Sequence, residues 1–469
     1  MTGQHPPNTH PPDRRTNRLG RADRLRPASS VASSTLALML ALLLGAGVFG
    51  GIQIGSVLLQ LTLGMTWMSV AVGAIRLLSC TLSRPTEPRG AGIENEDLPR
   101  YTVILPLFDE AHMVPGLRTA LSAMDYPTDR LDCVFVCETG DIATIAAARA
   151  ASTEPFRTLI VPPCTPGGPP RTKPRALNHV LERSGGDLVT IFDAEDRPHP
   201  GQLRAAARAF ADHPDWAALQ APLDYFNTGD SWLAAQFGLE YASLFHVQLP
   251  FYGRLDLPFP LGGTSNHMRR DALERVGGWD PFNVTEDADL AFRLACDGGR
   301  IGWIAPPTQE EAVSRLRPWM RQRSRWLKGF LQTWLVHMNA PLSGGWRRAL
   351  MLQLTLGVSL LSVAFFAPVV VGLTLLLLAG ALGVTDVRVP PVYLLTLGFS
   401  MVCGMSAGAL GAVRAGQPRL LWHVPLMPLY WMLLFPPLVR AIAELRTRPF
   451  HWHKTEHGVT GAPPGLAGD

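Results

Sequence analysis

The sequence carries little charge, and its cysteines follow no pattern typical of a metal site or a disulfide framework. Charged residues make up 17% of the 469 residues, whereas hydrophobic residues make up 47%. The chain is therefore too apolar for an ordinary soluble enzyme and too charged to lie wholly in a membrane. The six cysteines form no CxxC pair and no cysteine–histidine spacing, so we interpret them as buried thiols in a reducing compartment.

Two further absences narrow the function. Residues 1–33 are rich in arginine and proline but have no apolar core, so they are expected to form a disordered basic arm and not a secretory signal. The central part of the chain lacks a basic patch interleaved with aromatic residues, which argues against a nucleic-acid partner. The net charge of +4 indicates no partner, because the excess lies beside apolar segments.

Long apolar runs divide the chain into domains. Because one membrane span needs about 20 apolar residues, residues 34–80 predict two transmembrane helices and residues 348–443 predict more. We expect four spans in the second region, with the run Leu350–Leu382 divided at Pro368, and three as the alternative. The basic arm and the basic tail 444–469 then lie in the cytoplasm by the positive-inside rule, as does the central block.

The four-span arrangement contains one conflict. Arg414 and Arg419 would lie in a loop on the outer side of the membrane, where arginine is disfavoured. The number of spans therefore stays open at this stage, whereas the multi-pass topology and the cytoplasmic central block follow from the longer runs.

The central block alternates short β-branched runs with helical stretches, which is typical of a parallel sheet with crossover helices. We therefore predict an α/β fold with a mostly parallel sheet. The predicted strands are Tyr101–Leu105, Cys133–Cys137, Thr158–Val161 and Leu188–Phe192, and the helices between them are Met113–Met124, Ile142–Ala151 and Arg175–Arg183.

Carboxylates follow three of the predicted strands. Ligands of open α/β sheets bind beyond the carboxyl ends of the strands, so three acidic strand ends predict a site that holds a metal or a base. The residues are Asp109 and Glu110 after the first strand, Glu138 and Asp141 after the second, and Asp193, Glu195 and Asp196 after the fourth.

The sharpest of these patterns is Asp193-Ala194-Glu195-Asp196. In extended chain Asp193 and Glu195 point the same way, so they could share one Mg²⁺ or Mn²⁺ ion that carries a diphosphate. A solvated acidic turn is the alternative for the tetrapeptide alone. Lys173 precedes the last of the predicted helices and is a candidate phosphate contact or a surface lysine.

Thr285-Glu286-Asp287 opens a further predicted helix. Threonine is a good N-cap and acidic residues in a first turn favour the helix dipole, so a capping role explains the tripeptide. Asp287 could in addition present a carboxylate to an acceptor hydroxyl as a general base.

Gln322, Arg325 and Trp326 are spaced so that they share one helical face. The basic and aromatic residues around them predict that residues 318–345 form an amphipathic helix region lying on a membrane surface. The two roles are compatible, because such a helix could dock the central block on the bilayer and close the site.

The order of these motifs along the chain resembles that of the processive family 2 glycosyltransferases, the group of cellulose, chitin and hyaluronan synthases. The similarity runs from about Tyr101 to Trp334, with membrane segments in matching places. It implies a GT-A fold for residues 84–317 and an inverting, metal-dependent transfer of a sugar from a nucleotide-sugar donor, most simply a UDP-sugar. The closest likeness is to a bacterial exopolysaccharide branch in the inner membrane.

The resemblance also implies a role for each motif. Asp109, Glu138 and Lys173 would bind the donor nucleotide, and Asp193 with Glu195 would hold the Mg²⁺ or Mn²⁺ ion, Asp196 being the alternative ligand. Asp287 would be the catalytic base. The remaining implied contacts are Gln322, Arg325, Trp326, Thr285 and Glu286 for the diphosphate and acceptor, and Gly263, Thr264 and Ser265 as the acceptor-side loop.

Two positions depart from the family pattern while keeping a carboxylate. Cys137-Glu138 stands where a pair of aspartates is usual, and Glu195 stands where the second aspartate of D-x-D would be. Fewer than thirty residues follow Arg440, which leaves no room for a fused cyclic-dinucleotide-binding domain, so we expect any regulatory or export subunit to be a separate protein.

Three functions remain in competition. The first is a processive β-glycan synthase whose spans form a channel for its product. The second is an enzyme that places a single sugar on a lipid acceptor. The third is a non-catalytic export or scaffold subunit, against which the retained carboxylates argue. The sequence names neither the donor sugar nor the linkage.

Overall fold

A seven-stranded, mostly parallel sheet forms the centre of the computed structural model. The structure describes residues 54–83, 94–164, 170–386 and 389–450. The predicted basic arm, the first part of the 34–80 region and the end of the predicted tail lie outside the described residues.

The strand and helix predictions for the central block are confirmed, with small shifts at the element ends. In pairing order the strands are β3 (Phe156–Val161), β2 (Leu131–Glu138), β1 (Tyr101–Leu107), β4 (Leu188–Ile191), β8 (Asn266–Arg269), β6 (Trp216–Gln220) and β9 (Arg300–Trp303). Only β8 runs antiparallel to both of its neighbours. A second, three-stranded sheet pairs β5 (Arg197–Pro198), β10 (Thr308–Glu310) and β7 (Leu223–Tyr225).

Fifteen α-helices surround the sheet or extend from it within the described residues. They are α1 (Ile54–Leu82), α2 (Val114–Ser122), α3 (Ile142–Ala151), α4 (Lys173–Leu181), α5 (Gln202–Asp212), α6 (Trp232–Ser243), α7 (Leu249–Arg254), α8 (Arg270–Arg275), α9 (Glu286–Cys296), α10 (Leu316–His337), α11 (Gly345–Leu352), α12 (Val358–Ala381), α13 (Pro391–Arg414), α14 (Met427–Met432) and α15 (Phe435–Thr447).

The central strands are apolar on both faces because helices cover both sides of the sheet. On β2, Phe135 packs into one core with α2, α3 and α5, whereas its neighbours Val134 and Val136 pack into the other core with α4, α8 and α9. The expectation of buried thiols holds for three cysteines, but Cys164 is exposed.

The apolar run after the central block forms one continuous helical segment, Gly345–Ala381, and Pro368 lies inside α12. The predicted division into two spans at Pro368 is therefore wrong. A break at this depth would leave backbone groups without partners in an apolar surrounding, whereas a proline inside a membrane helix costs little more than one hydrogen bond. Among the described residues, three helical segments are long and apolar enough to cross a membrane, and the others are Pro391–Arg414 and Pro418–Thr447.

The third of these segments, Pro418–Thr447, has both of its ends on the side of the central α/β domain. Before it, Gln417 Nε2 donates to Tyr225 O (3.1 Å). Beyond it, Gln332 Nε2 donates to Pro449 O (2.8 Å). Both ends of the segment therefore lie on the side of the domain, which leaves α12 and α13 as the pair of helices that leads away from the domain and returns to it.

This arrangement removes the conflict over the arginines near the end of α13. Arg414 Nη1 donates to His246 O (2.9 Å) in the α/β domain. Arg419 follows two residues after the Gln417 contact. Both arginines therefore lie on the side of the α/β domain, as the positive-inside rule requires if that domain is cytoplasmic.

The helix that carries Gln322 and Arg325 was expected to lie on the membrane surface, but the structure buries it. The α10 residues Ser324 and Lys328 contact the C-terminal segment, with Ser324 Oγ donating to Pro437 O (3.1 Å). Its opposite side packs on the α/β domain through Thr333. A segment about 100 residues later in the chain therefore covers the surface that the amphipathic pattern assigns to lipid.

We predict opposite labelling of two cysteine substitutions. In intact cells Val384→Cys, in the loop after α12, reacts with a membrane-impermeant maleimide, because the loop lies at the far end of the α12–α13 pair. Arg419→Cys reacts only after permeabilisation, and the exposed native Cys164 is an internal control for the domain side. Labelling of Arg419→Cys from outside would contradict this topology.

Candidate active site

A cavity of about 970 Å³ opens at the carboxyl edge of the sheet and continues between α1, α12 and α13. Thirteen of the residues singled out in the sequence line it. They are Glu110, Glu138, Lys173, Asp193, Glu195, Gly263, Thr264, Thr285, Glu286, Asp287, Gln322, Arg325 and Trp326.

Asp109 does not line the cavity. It sits in a turn with a left-handed backbone (φ 55°) and is exposed. Its backbone N–H donates to Asp141 Oδ2 (2.6 Å), and Asp141 also caps α3 by accepting from Thr144 N. The turn therefore aims Phe108 and Glu110 into the cavity in place of the predicted Asp109.

Glu138 ends β2 and faces the cavity beside a partner that the sequence pattern did not indicate. Arg175 Nη2 donates to Glu138 Oε2 (2.7 Å). Burial raises the pKa of Glu138, and Arg175 opposes this shift. The pair lies at the start of α4, where the sequence had suggested only Lys173 as a functional cation.

Lys173 joins three parts of the site. Its Nζ donates to Asp193 Oδ1 (2.5 Å), at the end of β4, and to Gly263 O (2.7 Å), in the loop before β8. Burial alone would lower the pKa of Lys173, but Asp193 and Glu286 outweigh it and raise the pKa. The lysine is therefore a fixed cation at the carboxyl edge and not a surface residue.

Glu195 and Asp196 have different surroundings, which bears on the question of which could bind a metal. Asp196 Oδ2 accepts from Asp193 N (2.7 Å) and from the Thr264 hydroxyl, so it closes the turn and does not line the cavity. Glu195 lines the cavity, and burial together with Asp193 raises its pKa to about 8. Of the two carboxylates, Glu195 is therefore the better placed to bind a metal ion.

Ser265 is also turned away from the cavity. It is fully buried, and its hydroxyl donates to Thr308 Oγ1 (2.6 Å) in the second sheet. It holds the acceptor-side loop to the domain, while Gly263 and Thr264 form the wall of the cavity.

Glu286 and Asp287 begin α9, directly opposite the Lys173 cation. The capping explanation of this motif fails for Thr285, whose hydroxyl donates to Asn283 Oδ1 (3.4 Å) and makes no capping bond within the described chain. Burial and the neighbouring Asp287 raise the pKa of Glu286 to about 7. Burial also raises the pKa of Asp287, which suits a group that must take up a proton near neutral pH.

The α10 helix brings Gln322, Arg325 and Trp326 to the cavity together, as their spacing predicts. Gln322 Oε1 is buried without a hydrogen-bond partner among the described residues. Gly329 lets α10 approach this closely, because a Cβ at this position would collide with Thr285.

Carboxylates outnumber cations at the carboxyl edge. Glu310, which the sequence pattern did not single out, lines the cavity, and burial together with Asp196 raises its pKa. Crowded, partly buried carboxylate oxygens suit a hard divalent cation, and Asp193 with Glu195 are the pair placed to hold one. Among the described residues, no group of three histidine, cysteine, aspartate or glutamate side chains is arranged to bind a metal by itself, so a ligand would have to complete the coordination.

Comparisons with known proteins identify the family to which these features belong. A family profile described as "Glycosyl transferase family group 2" matches residues 188–440. The chain is 25% identical over 414 residues to a beta-monoglucosyldiacylglycerol synthase of Synechocystis. This match covers 83% of the chain and 82% of that protein. It is 26% identical over 262 residues to the cellulose synthase 1 catalytic subunit of Komagataeibacter xylinus, covering 53% of this chain and 33% of that protein.

Among the solved structures that the chain matches is the mannosyltransferase PcManGT from Pyrobaculum calidifontis, in complex with GDP-Man and Mn²⁺. The two chains are 18% identical, with a TM-score of 0.46, and the match covers 81% of this chain and 98% of the PcManGT chain.

We predict that Gly329→Ala destabilises the protein and lowers its activity, because the added methyl group separates α10 from Thr285. Overpacking of this kind costs about 1–3 kcal/mol. Thermal unfolding in detergent measures the effect, with Gly372→Ala as the matched control, since a Cβ in that helix meets open space. Equal melting temperatures for the two variants would show that α10 does not depend on this contact.

Proposed function

Because the chain belongs to glycosyl transferase family group 2, we propose that it transfers a sugar from a nucleotide-sugar donor to a membrane lipid. Its mostly parallel α/β fold is GT-A-like. The observation that carries the choice of a lipid is the cavity, which runs from the catalytic carboxylates into the space between the membrane helices.

The membrane half of the cavity has the chemistry of an acyl-chain site. Val72 of α1, Phe366 of α12 and Met401 of α13 are among the apolar residues that line it. Acyl chains can pass from the bilayer into such a cavity without losing any hydrogen bond, because both surroundings are apolar. Sugar hydroxyls, in contrast, would lose their hydrogen bonds with water in such surroundings. The proposal is also consistent with the likeness to a beta-monoglucosyldiacylglycerol synthase.

The residues at the carboxyl edge suit a single displacement. The oxygen of the lipid hydroxyl attacks the anomeric carbon of the donor sugar while Asp287 accepts the hydroxyl proton. The bond from the anomeric carbon to the diphosphate oxygen breaks on the opposite side. The configuration of the sugar is therefore inverted. Lys173 and Arg325 line the cavity as the cations that face the departing nucleoside diphosphate.

Asp193 and Glu195 would hold an Mg²⁺ or Mn²⁺ ion, with the donor diphosphate completing its ligands. Such an ion neutralises negative charge on the diphosphate. Glu138 and its partner Arg175 lie at the end of β2, on the same edge, where the nucleoside part of the donor would bind. We propose that this edge faces the cytoplasm of a bacterium, where nucleotide-sugars are made.

A processive synthase is the second candidate. The features that favour it are Gln322, Arg325 and Trp326, which resemble the acceptor motif of polymerising enzymes, and the likeness to a cellulose synthase subunit. The product separates the two functions: one chloroform-soluble glycolipid supports lipid transfer, and a ladder or insoluble polymer supports polymerisation.

The experiment that tests the proposed function uses the purified full-length chain with diacylglycerol vesicles. UDP-glucose, UDP-N-acetylglucosamine, UDP-xylose and GDP-mannose are supplied separately with Mg²⁺ or Mn²⁺. We expect release of nucleoside diphosphate and a labelled glycolipid from one donor. A labelled polymer with no glycolipid would overturn the choice of acceptor, and no transfer with any donor or added membrane extract would favour the scaffold role.

We predict that Asp287→Asn lowers the turnover number by about 10²–10⁴-fold, because the amide cannot take up the acceptor proton. Donor binding should persist. Asp297→Asn is the matched control at the other end of α9, where the carboxylate only pairs with Arg275 (2.8 Å) on the surface. A turnover number within a factor of two of that control would argue that Asp287 is not the base.

A second prediction concerns the membrane half of the cavity. Ser362→Phe fills part of it and should raise the KM for the lipid by about tenfold, a loss of about 1.4 kcal/mol of binding free energy. Hydrolysis of the donor in the absence of lipid should be unchanged. The control is Leu361→Phe, because Leu361 is exposed and lies outside the cavity. An unchanged KM in Ser362→Phe would exclude this part of the cavity as the lipid site.

A further inference from the structure

Arg76 is a cation on the membrane half of the cavity. It lies on α1 and lines the cavity with Ser69 and Val72, which share its helical face. Leu82 O, at the end of α1, accepts a hydrogen bond from Arg254 of the α/β domain (3.0 Å). Arg76 therefore lies six residues before that end, about 9 Å further along the helix from the α/β domain.

Neutral groups surround this guanidinium. It stacks over the ring of Trp431, 5.6 Å from the ring centroid. The ionisable side chains near it are Tyr252, Cys403 and Cys80, which are uncharged in ordinary conditions. Within the described part of the chain, no aspartate or glutamate forms an ion pair with Arg76. A cation inside a membrane domain is costly unless an anion or water meets it, and such residues commonly mark a functional site.

The wall of the cavity leaves room for this guanidinium and adds hydroxyl groups. A Cβ at position 404, on α13, would lie 2.7 Å from Arg76 Nη1, so Gly404 admits the side chain where any other residue would displace it. Ser69, Ser362 and Ser400, from three different helices, line the same cavity. A planar guanidinium is well suited to a phosphate group.

We propose that Arg76 binds the phosphate of a membrane lipid whose acyl chains occupy the apolar half of the cavity. The inference rests on the proposed transfer to a lipid. The diphosphate of the donor is a separate ligand, because Lys173 and Arg325 serve it at the carboxyl edge. The phosphate belongs either to the acceptor lipid itself or to a phospholipid bound beside a neutral acceptor.

The binding test compares two lipids that differ only in the phosphate, phosphatidate and a diacylglycerol with the same acyl chains. Retention of each by the purified full-length protein is measured by native mass spectrometry. We expect the wild-type protein to prefer phosphatidate by about tenfold or more, since a charge-assisted hydrogen bond contributes at least this much. Arg76→Gln should lose the preference, and Arg76→Lys should keep part of it.

Arg347→Gln is the matched control. Arg347 also stacks on a tryptophan, 5.7 Å from the ring of Trp346, but it is exposed and outside the cavity. The control should keep the full preference for phosphatidate. Thermal unfolding checks that each variant is folded. If Arg76→Gln does not fold, the Arg76→Lys variant still tests the inference. An unchanged preference in folded Arg76→Gln would overturn the inference, as would an equal loss in Arg347→Gln.

An activity measurement identifies the source of the phosphate. Sugar transfer to phosphatidylglycerol that depends on Arg76 would assign the phosphate to the acceptor. Transfer to diacylglycerol that phosphatidate accelerates, in wild type but not in Arg76→Gln, would assign it to a neighbouring phospholipid. Glycolipid synthesis that is identical in both proteins would overturn the inference while the proposed function stands. A preference for phosphatidate that depends on Arg76, in a protein that makes no glycolipid, would support the phosphate site and overturn the proposed function.

Discussion

The ion pair between Lys173 and Asp193 is the interaction on which the organisation of the site depends. It fixes the start of α4 to the end of β4, and the same ammonium group reaches Gly263 O in the acceptor-side loop. Around it stand more carboxylates than cations, and burial, together with repulsion from a neighbouring aspartate, raises the pKa of both Glu195 and Glu286. A site with this charge is poised to accept a cation together with an anionic ligand, which is the combination that a metal-bound nucleotide-sugar offers.

The link from this charged edge to the membrane helices runs through α10. Arg323 of this helix is buried and pairs with Glu240 of α6, and the Tyr430 hydroxyl donates to Glu240 Oε2 (2.6 Å). The guanidinium also lies 4.2 Å from the ring centroid of Phe237, so the Arg323 side of the pair is shielded from water, whereas Glu240 is partly exposed. Removing one partner of such a pair leaves an uncompensated buried charge, so these contacts fix the face that carries Gln322 and Arg325 relative to the membrane half of the cavity.

Local periodicity sufficed for strands β1 to β4 and for the helices between them, because strand alternation and helix spacing depend on neighbouring residues alone. It failed where distant residues decide an orientation. Asp109 turns outward because Asp141, at the start of α3, holds its backbone, and Asp196 turns inward because the Thr264 hydroxyl donates to it. The burial of α10 likewise depends on the C-terminal segment that packs on it. No pattern within a single helix contains that information.

The lining of the membrane half bears most directly on the choice between a polymer and a lipid. A glycan passing through it would bring several hydroxyl groups per sugar against side chains such as Val363 and Phe366, and each unpaired hydroxyl costs about 1–3 kcal/mol. The serines of the wall could satisfy only a few of them at a time. An acyl chain has no hydroxyl groups and therefore incurs no such cost. With buried carboxylates at one end of the cavity and an apolar wall at the other, an amphiphilic acceptor is the ligand whose two parts match both ends.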